Sequence, residues 1–182
     1  MISSFFKNSY GDLIKSVVLS QKPHLIIEYG ILFGYSTLNI LEAIKYNGFG
    51  KLISYDIFDD FPYNHTEEKN TKKMFDKMEN VEIRKSNFYN ILENKYLNEI
   101  FVCDLLIVDI GNVKKTYEFF VKNVYPNMKE GSICILEGGS IERDEYYKSK
   151  GYSEESINKY LKSLTIKHVV FNKFPSITIF TK

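Results

Sequence analysis

Cysteine is scarce in this sequence, and so are residues that mark a linker between domains. Cys103 and Cys134 are the two cysteines among 182 residues, which excludes a disulfide framework and gives no metal-binding spacing. Both lie in or beside apolar runs, so we expect buried thiols. The chain has four prolines and no low-complexity segment or internal repeat. We therefore expect one domain over residues 1–182, with residues 1–22 as an N-terminal helical extension.

A surplus of one charge is also missing. The 24 Lys and Arg residues nearly balance the 23 Asp and Glu residues, for a net charge of +1. This balance argues against a broad surface for nucleic acid or anionic membranes. Arginine is rare, since Arg84 and Arg143 are its two occurrences. No apolar run has the length of a signal peptide core or a transmembrane helix. We expect a cytoplasmic protein, monomeric or homodimeric, without nucleic-acid or membrane partners.

What the chain does contain is an alternating pattern of apolar strands and amphipathic helices. Hydrophobic residues make up 44% of the sequence, enough for a sizeable core. Strand and helix alternate five times, and the last two strands are separated by Asn172–Pro175, a gap that permits only a hairpin. The predicted strands are Leu25–Glu28, Leu52–Tyr55, Val81–Arg84, Asp104–Asp109, Ser132–Leu136, His168–Phe171 and Ser176–Phe180. The predicted helices are Asp12–Leu19, Ser36–Tyr46, Thr66–Met78, Lys114–Val124 and one within Ser153–Leu164.

The most informative segment follows the first predicted strand. It reads Glu28-x-Gly30-x-x-x-Gly34-Tyr35-Ser36, an acid at a strand end, a glycine-bearing turn and the start of a helix. Glycine lets the backbone approach a ligand closely, and a helix N-terminus offers N–H groups. A second acid, Asp56, ends the next strand beside this turn, where it can bind a ribose. Together these residues predict a nucleotide-type pocket.

These motifs resemble those of the class I S-adenosylmethionine-dependent methyltransferases over nearly the whole chain. That family has a Rossmann-like, doubly wound α/β sheet of seven strands, mostly parallel, with an antiparallel C-terminal hairpin. The resemblance implies that Glu28 orients the methionine part of the cofactor and that Asp56 binds the ribose. It implies a cofactor site for S-adenosylmethionine made of Glu28, Gly30, Gly34, Ser36, Asp56, Ile57, Ser86, Asn87 and Asp109.

A narrower resemblance is to the small-molecule O-methyltransferases of the macrocin-type sugar or catechol-like groups. The stretch Asp56–Pro62 looks like one of their motifs. Macrocin-type enzymes hold a divalent ion with acids after strands four and five. Here Asp109 and Glu137 occupy such positions, but Gly138 stands where the second acid of the last pair is expected, which argues against metal dependence. We predict Asp109 and Glu137 as catalytic acids, and as metal ligands, with Asn112, only if an ion is bound.

The predicted function is methyl transfer from S-adenosylmethionine to a small-molecule acceptor, at a hydroxyl oxygen. A hydroxyl must lose its proton, and Asp109 is the first candidate base. One alternative is a nicotinamide-dependent oxidoreductase, although the turn lacks the Gly-x-Gly-x-x-Gly pattern. Another is a catalytically silent relative that binds a nucleotide-like ligand or a partner chain. Competition between S-adenosylhomocysteine and NAD separates the methyltransferase from the oxidoreductase.

Overall fold

The computed structural model describes residues 10–60, 66–111, 113–152, 155–173 and 175–182. The strands are β1 (Leu25–Tyr29), β2 (Lys51–Asp56), β3 (Val81–Lys85), β4 (Leu105–Val108), β5 (Ile133–Glu137), β6 (His168–Phe171) and β7 (Ile177–Thr181). The helices are α1 (Tyr10–Gln21), α2 (Tyr35–Asn47), α3 (Glu68–Phe75), α4 (Leu97–Phe101), α5 (Lys114–Phe119), α6 (Ile141–Ser149) and α7 (Ile157–Lys162). Short 3₁₀ segments cover Phe58–Asp60, Phe88–Glu93 and Tyr125–Asn127, and a π-helical turn covers Phe120–Val124.

The strands form one seven-stranded sheet in the order β3-β2-β1-β4-β5-β7-β6. Strands β1 to β5 are parallel to one another, and β7 runs antiparallel to both β5 and β6. This arrangement confirms the predicted α/β architecture with an antiparallel C-terminal hairpin. The order reverses between β1 and β4, so the carboxyl ends of these two strands border the crevice in which open α/β sheets bind ligands.

The central strands contribute side chains to two apolar layers, one on each face of the sheet, because successive residues of a strand face opposite sides. Ile26, Leu105 and Ile135 pack under α1 and α2, whereas Ile27 and Leu106 belong to the layer that includes α4, α5 and α7. Strands covered on both faces explain why the central runs are almost wholly apolar. Both cysteines are buried and free, as predicted.

The helices show the main differences from the sequence prediction. Helix α6 was not predicted, although Ser140 caps it by accepting a hydrogen bond from the N–H of Arg143 (3.1 Å). Acids in its first turn complete a standard N-terminal signal. Helix α4 was also missed. The predicted helix within Ser153–Leu164 is observed as α7, and residues 153 and 154 lie outside the described residues.

Candidate functional site

The glycine turn between β1 and α2 is pressed against the end of β4. Gly30 has a φ of +98°, and its N–H donates to the carbonyl of Tyr55 (2.8 Å). A Cβ atom at Gly30 would lie 1.9 Å from the backbone oxygen of Asp109, so the close approach requires glycine. Gly34, with φ +73°, begins α2, and among the described side chains none caps this helix. Both predicted glycines therefore shape the turn.

Asp56 ends β2 and turns back onto the glycine turn. Its Oδ2 accepts hydrogen bonds from the N–H groups of Ile31 (2.7 Å) and Leu32 (3.2 Å), and its Oδ1 accepts from the N–H of Phe58 (2.8 Å). The residue is 7% exposed. Through these hydrogen bonds the carboxylate holds the glycine turn against the loop after β2. This structural role does not depend on the predicted contact with a ribose.

Glu28 is fully buried under the start of α2. Its two oxygens accept hydrogen bonds from the hydroxyls of Ser36 (2.5 Å), Thr37 (2.7 Å) and Ser54 (2.6 Å). Burial raises the pKa of Glu28 to about 7, and the three hydroxyls oppose this rise. The side chain fastens α2 to β1 and β2, so it can act on a ligand only by placing Ser36 and the turn.

The loop after β3, which holds Ser86 and Asn87, meets the end of β2. The N–H of Ser86 donates to the carbonyl of Asp56 (3.0 Å). The Asn87 side chain accepts from the N–H of Tyr89 (3.0 Å) and caps the 3₁₀ segment that follows. Ser86 and Asn87 line a cavity of about 340 Å³ whose wall also includes Tyr55 and Tyr96. Ile57, next to Asp56, is partly buried.

The other two predicted acids lie side by side at the ends of β4 and β5. The last register pair of these strands is Val108–Leu136, so Asp109 and Glu137 are the next residues on each strand and face the same side. Burial, and then the charge and hydrogen bonding of Asp109, raises the pKa of Glu137 well above its usual range. Asp109 itself is exposed. The structure therefore brings these two carboxyl groups together, with Asp109 on the accessible side.

Arg143, on α6, is a site residue that the sequence analysis did not single out. Its Nη2 donates to Glu137 Oε1 (2.6 Å) and to the hydroxyl of Tyr147 (3.0 Å). The arginine side chain is 1% exposed and that of Glu137 is 12% exposed. A buried guanidinium needs an acid beside it, so the rarity of arginine in this chain and the capping signal before α6 are the features that point to Arg143.

Two further tyrosines lie near Asp109 and Glu137. Tyr10, on α1, is buried. Burial raises its pKa, and the charges of Glu137 and Asp109 raise it further. On the opposite face of the sheet, Tyr117 donates its hydroxyl to the carbonyl of Glu137 (2.8 Å). The fold thus places one tyrosine on each face of the sheet near the pair.

The donor set around Asp109 and Glu137 does not fit a tightly held divalent ion. In the ranges that the structure describes, no group of three or more His, Cys, Asp or Glu side chains could hold a metal. The guanidinium of Arg143 contacts Glu137, one of the two candidate ligands. Gly138 has a φ of +95°, a conformation that disfavours an acid at this position. The predicted third contributor, Asn112, lies outside the described residues.

Among the described helices, none combines the length and apolar character needed to cross a bilayer. Several solved structures share the fold at low sequence identity. The SAH-bound methyltransferase PaMTH1 of Podospora anserina has a TM-score of 0.69 at 16% identity, covering 97% of this chain and 79% of its own. The O-methyltransferase TomG of Streptomyces achromogenes, in complex with SAM, has 0.66 at 14% identity, covering 100% and 82%.

The O-methyltransferase of Bacillus cereus, in complex with SAH, has a TM-score of 0.66 at 15% identity and covers 100% of this chain and 84% of its own. Comparison with curated protein sequences gives no significant match. The family model described as "Methyltransferase domain" matches residues 27–137, a stretch that holds the glycine turn, Asp56 and both members of the acid pair. The chain therefore belongs to this methyltransferase family and has the fold of the class I S-adenosylmethionine-dependent enzymes.

Proposed function

We propose that this protein transfers a methyl group from S-adenosylmethionine to a hydroxyl oxygen of a small-molecule acceptor. The observation that carries the proposal is the placement of the Asp109–Glu137 pair directly beside the glycine turn, with the Gly30 position touching the backbone of Asp109. A binding site for the donor and a pair of proton-accepting groups thus share one edge of the sheet. The family membership supports the same reaction class.

The donor would bind across the carboxyl ends of β1, β2 and β4. We assign Gly30, Gly34 and Ser36 to its methionine part, because no side chain in the described ranges caps the start of α2 and a helix N-terminus attracts a carboxylate. Asp56 is assigned to the ribose. Ile57, Ser86 and Asn87 are assigned to the adenine. Glu28 holds Ser36 in place from beneath.

The chemistry at the acceptor is a displacement that needs alignment and removal of one proton. When bound, S-adenosylmethionine supplies an electrophilic methyl group, and the electron pair of the broken C–S bond stays on sulfur as the new O–CH₃ bond forms. Asp109 accepts the hydroxyl proton, since its carboxyl group is exposed and lies beside the glycine turn where the donor would bind. Glu137 supports Asp109 from the buried side.

Calorimetric titration of the purified protein with S-adenosylhomocysteine tests the proposal first. We expect one site per chain and no competition from NAD. Binding of NAD without binding of S-adenosylhomocysteine would replace the proposal with the oxidoreductase alternative.

A screen of phenols, catechols and sugar hydroxyls for formation of S-adenosylhomocysteine then tests catalysis. Turnover of at least one acceptor class is expected. Tight binding of S-adenosylhomocysteine with no turnover across the screen would favour the catalytically silent alternative, for which the guanidinium on Glu137 is the supporting observation.

A further inference from the structure

We infer that Arg143 is the positioning residue of the acceptor end of the site, where its guanidinium supplies beside Glu137 the positive charge that a divalent cation would otherwise supply. This inference rests on the proposed function, because it assigns a role within the same site. It deepens that function by making the methyl transfer independent of metal. The argument uses the position of Arg143, the environment of Glu137 and the conformation of Gly138.

The position of Arg143 is fixed from three directions. Its backbone N–H is bound by Ser140, the cap of α6. Its Nη2 is shared between Glu137 Oε1 at 2.6 Å and the Tyr147 hydroxyl at 3.0 Å. The Tyr147 ring lies 4.7 Å from the guanidinium carbon, close enough for a cation–π contact. These contacts hold the guanidinium against Glu137, at the position where an ion would have to bind.

A divalent ion at the pair would have to share Glu137 with this cation. Both would be buried within a few ångströms of each other, and like charges repel strongly where water is excluded. A second acid at position 138 would change the balance, but the φ of Gly138 is +95° and its N–H donates to the carbonyl of Ser176 (2.7 Å). The backbone therefore favours glycine and keeps the number of acids at two.

Arg143 also decides which acid meets the acceptor. Glu137 is turned toward the guanidinium and is nearly buried, whereas Asp109 is exposed. The acceptor proton therefore goes to a carboxylate oxygen of Asp109, while Glu137 keeps its contact with Arg143 and supports Asp109 by hydrogen bonding. Arg143 touches neither donor nor acceptor in this arrangement. It acts through the orientation of Glu137.

The test measures metal binding in the absence of any donor, so it does not depend on activity. Mn²⁺ is titrated by electron paramagnetic resonance into the wild type, Arg143→Met and Lys129→Met. Lys129 is the matched control, since it binds Asp104 at the same distance, 2.6 Å, at the opposite end of β4. We expect weak Mn²⁺ binding by the wild type and by Lys129→Met, and affinity about tenfold higher or more in Arg143→Met, where the repelling charge is gone.

Activity on the acceptor found by the screen gives the second readout. The wild type should be unaffected by EDTA. In Arg143→Met, kcat should fall about a hundredfold because Glu137 loses its orientation, with the dissociation constant for S-adenosylhomocysteine unchanged. Arg143→Lys should recover part of kcat, which a purely structural role would not predict. If Arg143→Met does not fold, Tyr147→Phe takes its place in the test. This variant removes one contact of Nη2, so kcat should fall by a smaller factor.

Stoichiometric Mn²⁺ binding by the wild type, loss of its activity in EDTA with recovery in Mg²⁺, or an unchanged kcat in Arg143→Met would each overturn the inference. Failure of the wild type to bind S-adenosylhomocysteine would instead overturn the proposed function. The Mn²⁺ titrations would still decide whether Arg143 keeps metal from the pair, so the two failures are distinguishable.

Discussion

Four acids stand at the same edge of the sheet, yet the two on the β1–β2 side and the two on the β4–β5 side have opposite surroundings. Glu28 and Asp56 accept hydrogen bonds from several hydroxyls and backbone N–H groups of their own chain. Asp109 and Glu137 face one another, and the guanidinium of Arg143 contacts Glu137. The hydrogen bonds to Glu28 and Asp56 show that these acids hold the site together, whereas the exposed Asp109 is the acid that we propose exchanges a proton.

The difference has a physical origin in what surrounds each strand end. Glu28 on β1 and Asp56 at the end of β2 lie next to the glycine turn and the start of α2, where backbone N–H groups and hydroxyls are concentrated. The strands β4 and β5 end beside each other, so their acids meet like charge instead. We propose that the β1–β2 half of this edge holds the site in shape and that the β4–β5 half carries out the chemistry. Four substitutions test this division.

The largest effect is expected from Gly30→Ala, which disrupts the close contact between the glycine turn after β1 and the Asp109 backbone after β4. The new Cβ would lie 1.9 Å from the Asp109 backbone oxygen at a φ of +98°. We expect a loss of about 4 kcal/mol or more in the free energy of unfolding, from backbone strain and overpacking together. Urea denaturation measures it. Gly48→Ala is the control, with φ +76° and no described atom within 4 Å, and should cost about 1–2 kcal/mol. Equal costs would contradict the prediction.

Asp109→Asn should abolish most activity without unfolding the protein. The exposed amide cannot accept the acceptor proton, so kcat should fall about 10²–10⁴-fold, while calorimetry should show little change in S-adenosylhomocysteine affinity. Asp104→Asn is the control at the amino end of the same strand, where Asp104 accepts from the N–H groups of His24 and Leu25. It should cost about 1 kcal/mol of stability and leave kcat alone. A fully active Asp109→Asn would remove Asp109 from the mechanism.

Glu28→Gln should change the pH dependence of stability. The pKa of Glu28 is about 7 in the folded protein, against 4.5 for an unperturbed glutamate. Between these values the unfolded chain has released the proton that the folded chain keeps, so stability falls as pH rises through this window. The loss amounts to about 3 kcal/mol over the whole window at 1.36 kcal/mol per pKa unit, of which about 2 kcal/mol falls between pH 5 and pH 7.

Urea denaturation at pH 5 and pH 7 measures this slope. The decline attributable to Glu28 should be absent from Glu28→Gln and present in Glu42→Gln, a control on the outer surface of α2. If Glu28→Gln and the wild type lose the same stability over this interval, Glu28 does not titrate there.

Asp56→Ala is expected to give the smallest effect in free energy. It should weaken S-adenosylhomocysteine binding by about 2–3 kcal/mol, the scale of hydrogen bonds to a charged group, as measured by calorimetry. The variant should still fold, although three backbone N–H groups lose their acceptor. An unchanged dissociation constant in a folded variant would place the ribose elsewhere and leave Asp56 with its role in the turn alone.

Much of this architecture could be predicted because local patterns carry it. The alternation of strands and helices, the short C-terminal gap and the Glu28–Ser36 turn are sequential features, and they predicted a parallel sheet with an antiparallel hairpin. The sequence also placed Asp109 and Glu137 at the ends of neighbouring strands. The sequence did not predict what surrounds these acids. Glu28 accepts hydrogen bonds from hydroxyls on both α2 and β2, and Glu137 accepts one from Arg143 on the unpredicted α6.

The sequence by itself determined the order of elements, the glycine turn and the positions of the acids, because hydrophobic periodicity and glycine content act over a few residues. Only the tertiary structure decided how each acid is partnered. Hydrogen bonding and charge act through space between segments far apart along the chain. The packing of α1, α2 and α6 on the sheet therefore determines whether a carboxyl group is buried, paired with another side chain or exposed to solvent.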